Sequence, residues 1–157
     1  MKKTAVLLAF AALFGVAGGA YAAEKVSVPK GYEKWEKSKA RVNTDKSSMF
    51  YGIHYIYVSK KALKAYKSGS GAYPEGSEFV AVNYSIKEQG GKPVEGKKNL
   101  IVLMKRDKRQ KATGGWLFAG FTPQGKSSGL DPLRDCFGCH EKEKGRGYVI
   151  SKYADFK

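Results

Sequence analysis

Four apolar runs, at 49–59, 78–86, 99–105 and 116–122, the first of them dense in aromatic and β-branched residues, set the architecture this chain can adopt. Such runs fit a pleated, half-buried surface, and the two-residue period sorts each into two faces. In the first run one face carries Phe50, Gly52, His54, Ile56 and Val58, and the other Tyr51, Ile53, Tyr55 and Tyr57. In the second, Phe79, Ala81 and Asn83 oppose Val80, Val82, Tyr84 and Ile86. The runs lie close in sequence with turn-rich or charged connections, which predicts an α+β chain, mainly antiparallel sheet with a few short helices on one side or end. A helical bundle is excluded.

Helical signals are few. Ser59 reads as the N-cap of a helix through Ala62, Leu63 and Tyr66 that Gly69 stops. Tyr32 and Trp35 after Pro29-Lys30-Gly31 suggest a short helical turn docking by its aromatic side. Residues 87–98 read as a charged connection, and Tyr148, Val149, Ile150 and Tyr153 as the segment closing the domain.

Both cysteines of the chain fall in Cys136-Phe137-Gly138-Cys139-His140, on a short helix near the C-terminus. Cys-x-x-Cys-His is the attachment pattern of a c-type haem. Two cysteines three apart on a helical turn face one edge of the ring, where they can form thioethers, and the next residue lies about 100° further round, so His140 can reach the iron. A disulfide between Cys136 and Cys139 is an alternative, as is half a zinc site. Zinc would want four ligands, and the only other histidine is His54.

The N-terminus bears on the same chemistry. Lys2 and Lys3, an apolar stretch from Thr4 to Val16 and Ala20-Tyr21-Ala22 make a secretory leader over 1–22, leaving 23–157 as one c-type haem domain in the periplasm. An oxidising compartment is where such haems are usually attached. The formal net charge is +15, from 29 basic and 14 acidic residues spread along the chain. Scattered charge is mostly solvated surface; its functional reading is attraction for an acidic redox partner, an anionic membrane surface or the haem propionates. No nucleic-acid reading motif is present.

Taken in order, Gly31-Tyr32 with Trp35, the segment from Phe50 to Tyr66, Tyr73-Pro74-Glu75-Gly76-Ser77, Asn83-Tyr84, Gly115-Trp116 to Phe121, the cysteine motif and Tyr148-Val149 resemble the cytochrome P-460 family, and most closely its cytochrome c′-beta branch. The resemblance implies one covalently attached haem c, iron held on the histidine side alone, and a homodimer. The hydroxylamine-oxidising branch carries a lysine cross-linked to the ring; here the matching position is Ala81, which has no amine. The c′-beta branch sets two phenylalanines over the open face of the iron, and Phe50 and Phe79 match them. Cys136 and Cys139 then tether the haem, and His140 is the axial ligand. The expected ligand is a small gas, nitric oxide above all, with carbon monoxide second. Enzymatic turnover of hydroxylamine or nitric oxide is the alternative. Electron transfer is a third, with His54, Met49 or Met104 as sixth ligand.

Overall fold

The computed structural model describes residues 26–156. The expected leader at 1–22 lies outside the described residues. The described chain forms a six-stranded antiparallel sheet. Its strands are β1 (Glu36–Lys37), β2 (Arg41–Asn43), β3 (Gly52–Val58), β4 (Glu78–Gln89), β5 (Lys92–Arg106) and β6 (Trp116–Phe121). The order is β1-β3-β4-β5-β6, with β2 on the same edge of β3 as β1. At the break between β1 and β2, Ser38 keeps the edge attached: its backbone N–H donates to Ile56 O and its Oγ accepts from Ile56 N–H, both at 2.9 Å.

The period-two faces emerge as two apolar clusters on opposite sides of the sheet. Val58, Phe79, Met104 and Phe118 belong to one, together with Ala62 and Tyr66. Those four strand residues are successive partners across β3, β4, β5 and β6. Tyr57, Val80, Leu103 and Phe121 belong to the other, covered in part by Tyr32 and Trp35. Tyr32 sits on the 3₁₀ turn Tyr32–Lys34, so the aromatic docking expected for that segment is present.

Helix α1 (Lys60–Ser68) forms where its signals lie. The Ser59 side chain accepts from Ala62 N–H, and Gly69 ends the helix in the left-handed region at φ 65°. Ala62, Ala65 and Tyr66 are its buried residues. The cysteine motif follows on a π-helical turn, Pro132–Phe137, running into α2 (Gly138–His140). The Asp131 side chain starts it by accepting from Leu133 and Arg134 N–H.

Three local expectations change. Residues 87–98 are not a loose connection but the outer half of the β4–β5 hairpin, closed by Gly90 and Gly91 at φ 59° and 71°. Two consecutive positive φ values define the tight turn that matches strand twist, which glycine adopts without strain. Residues 36–43, read as no strand from the sequence, supply β1 and β2 along one edge, the opposite edge being β6. Of the closing segment, Val149 is buried and Tyr148 and Tyr153 pack against the same cluster, as expected, but Ile150 stays 43% exposed.

Candidate haem pocket

The sheet face carrying Phe79 and Met104 does not end in packed core. It opens into a cavity of about 750 Å³ between β3–β6 and the C-terminal segment. That lies within the usual span of cofactor sites, about 300–1,000 Å³. Cys136, Cys139 and His140 line one side; Ile56, Ala81, Val102 and Met104 form an apolar floor.

His140 is fixed by a backbone group rather than by a side chain. Its Nδ1 lies 2.7 Å from Tyr148 O. A carbonyl oxygen only accepts, so Nδ1 carries the hydrogen and Nε2 keeps its lone pair for a metal. Burial lowers the pKa of His140 and keeps the ring neutral, against smaller opposing pulls from Tyr148 O and Glu143. Its ring packs 4.8 Å from that of Phe118 on β6.

The Tyr148 carbonyl is aimed by an uncommon backbone. Tyr148 has φ 68°, the left-handed region that bulky residues rarely enter. Its N–H donates to Glu143 O at 2.9 Å, and Arg146 braces the same turn through Glu143 Oε2 and Ile150 O. Beneath its ring lies Gly114, at φ 64°, where an added Cβ would stand 2.5 Å from Tyr148 Cζ. The Gly114 loop is held in turn by Arg106 Nη1, which donates to the carbonyls of Gly114 and Gly115 at 2.7 and 2.9 Å. Gly114→Ala therefore combines an unfavourable φ with a ring collision. We expect a loss of about 1–3 kcal/mol in urea unfolding, with the proximal turn carrying the displacement.

Cys136 is buried and Cys139 exposed, and no disulfide joins them. Burial, helped by the carboxylates of Asp135 and Asp131, pushes the Cys136 thiol up to about 11. A redox-active pair or a zinc ligand favours the thiolate, which these surroundings oppose. Among the described residues no group of three or more His, Cys, Asp or Glu side chains could hold a metal ion alone.

Phe50 and Phe79 both line this cavity, reaching it from opposite ends of the β3–β4 pair. Phe79 is 5% exposed and makes edge contacts with Tyr66 and Tyr73 at 5.3 and 5.4 Å. It is thus a core ring and a cavity wall at once. Phe50 is only partly buried and packs 5.3 Å from the His54 ring. His54, Met49 and Met104 line the cavity as well.

These residues fit a haem: an apolar slot of the right size, two thiols and an imidazole with a free Nε2 on one side, and Ala81 rather than a bulkier group on the floor. The family model of cytochrome P460 matches residues 29–151. The chain belongs to that family. It is a haem-binding cytochrome, and a search of curated proteins finds no match to it. The match spans the sheet, the cavity and the whole cysteine motif.

Proposed function

We propose that this cytochrome is an exported mono-haem protein of the c′-beta kind, which binds nitric oxide at a five-coordinate iron held by His140 and tethered through Cys136 and Cys139. The haem supplies an iron with one open coordination position. The protein supplies the rest. Cys136 and Cys139 would hold the ring as thioethers, each thiol giving its sulfur to one vinyl carbon and its hydrogen to the other, so that no oxidant is needed.

The observation that carries the reading is the Nδ1–H donation from His140 to Tyr148 O, which leaves one imidazole lone pair at the wall that also holds the two cysteines. Strand order supports an open opposite side. His140 packs on β6, whereas Phe50 and His54 enter from the β3 side, with β4 and β5 between. Three strand spacings amount to about 14 Å, so the two sides of the cavity stand well apart. Met104 is no candidate to face His140 across that space: its register partner on β6 is Phe118, the residue under the imidazole.

Ala81 on the cavity floor supports binding over hydroxylamine oxidation, because the family resemblance places the cross-linking amine there. The leader at 1–22 supports a periplasmic location, the resemblance a homodimer, and the +15 charge an acidic redox partner. Absorption spectra of the oxidised and reduced protein test the reading directly. We expect high-spin five-coordinate haem of ordinary c type. A red-shifted spectrum of a cross-linked ring, or efficient hydroxylamine turnover, would move the assignment to the oxidising branch. A six-coordinate low-spin spectrum in both states would make it an electron carrier.

A further inference from the structure

Two buried polar atoms on the sheet floor have no hydrogen-bond partner, and they belong to residues directly opposite each other. His54 on β3 is in register with Asn83 on β4. His54 Nδ1 and Asn83 Oδ1 are both buried and unpartnered. Opposed strand residues have Cβ atoms about 4.5–5.5 Å apart; the two atoms are not hydrogen-bonded to each other in this structure, and a rotation of the imidazole or one bridging water joins them.

Asn83 is fixed on its other side. It is fully buried, and its Nδ2 donates to Tyr51 O and Asn99 Oδ1, both at 3.0 Å. Both amide hydrogens are spent, and Oδ1 needs a donor. The N–H of a neutral His54 tautomer is the group placed to provide it. Neutrality has its own support: burial lowers the His54 pKa, and the Arg41 guanidinium lowers it further. Arg41 lies opposite His54 on β2 and is itself paired with Asp155 at 2.9 Å. On the cavity side the nearby ring is Phe50, which offers no polar contact.

We propose that Asn83 holds His54 as the Nδ1–H tautomer, so that Nε2 presents a hydrogen-bond acceptor to the ligand side of the haem cavity. His54 is then a specificity residue. It favours small ligands carrying N–H or O–H hydrogens over ligands that carry none, at a place in the cavity where its neighbouring ring is the apolar Phe50. Nitric oxide and carbon monoxide gain nothing from it. Hydroxylamine-like or amine ligands do. This rests on the haem reading above and adds to it the chemical class that the pocket discriminates.

The tautomer is read by ¹⁵N NMR of the imidazole in the haem-loaded protein, with His54→Gln used to assign the signals. We expect a hydrogen on Nδ1 of His54; a hydrogen on Nε2 would overturn the proposal. Ligand choice is read by titrating the ferric protein with methylamine and with azide while following the Soret band. His54→Phe should weaken methylamine binding about fivefold, the size of one neutral hydrogen bond, and leave azide within about twofold. His54→Gln, whose side-chain carbonyl also accepts, should restore most of the loss. Equal weakening of both probes, or of neither, would overturn the proposal. So would a parent spectrum that becomes five-coordinate only in His54→Phe, since His54 would then be an iron ligand. A parent with no haem absorption at all refutes the haem reading itself, a separate outcome.

Discussion

After denaturation in acid, the mature chain should carry the mass of one haem, and the Cys136→Ser/Cys139→Ser variant should carry none. This is an all-or-none difference, because a hydroxyl does not form the thioether and nothing else on the cavity wall can replace it: these are the only cysteines in the chain. Mass spectrometry and acid–organic extraction read it directly. The single variants differ in a way the burial explains. Cys139 is exposed and Cys136 is packed in the core cluster, so Cys139→Ser should cost little stability, whereas Cys136→Ser also places a hydroxyl in an apolar site. His140→Gly should separate tether from ligand. It should keep the covalent haem but lose the proximal bond, and added imidazole should restore the parent spectrum by occupying the vacated space. Haem released from the parent by acid extraction, or a Cys136–Cys139 disulfide in the mature protein, would end this assignment.

What the sequence made legible, and what it hid, follows from the range of the interactions involved. Ser59 and Gly69 bound their helix because capping depends on neighbours a few residues away. The faces of β3 and β4 were legible because each is buried against a different cluster, and a one-residue slip would expose every apolar side chain. Edge strands β1 and β2 carry no such signal: Glu36, Lys37, Arg41 and Val42 are exposed, so their pairing with β3 rests on backbone hydrogen bonds. The outer hairpin of β4 and β5 is likewise largely solvated, and Gly90-Gly91 was its one usable mark. At the site, Cys136, Cys139 and His140 stood out as a group because haem attachment demands fixed spacing, and the structure places all three on the cavity wall. The support of His140 was not, since it comes from the backbone oxygen of Tyr148, a contact set by conformation rather than by side-chain type. Register across β3 and β4 sets His54 opposite Asn83, and no local pattern in either strand announces that pairing.

Phe50→Ala and Phe79→Ala should each speed carbon monoxide binding to the ferrous protein while altering nitric oxide binding less. Two phenyl rings beside an open iron position crowd a ligand and offer it no hydrogen-bond donor, and they exclude water from the space it would enter. Nitric oxide bonds ferrous iron strongly enough to tolerate this; carbon monoxide depends more on free volume. The two variants should differ in stability. Phe79 is nearly fully buried between Tyr66, Tyr73 and Trp116, so truncation removes a core ring and should cost about 3–5 kcal/mol. Phe50 is only partly buried and touches His54, so its removal should cost less and also free the imidazole to move. That asymmetry makes Phe50→Ala the cleaner kinetic probe and Phe79→Leu the fallback where Phe79→Ala does not fold. Stopped-flow mixing of the folded ferrous variants with carbon monoxide decides the matter. Parent rates in Phe50→Ala and in both Phe79 variants would leave these rings as packing residues alone. A faster rate confined to the Phe50 variant would assign the cap to the β3 side, where the ring and His54 stand together.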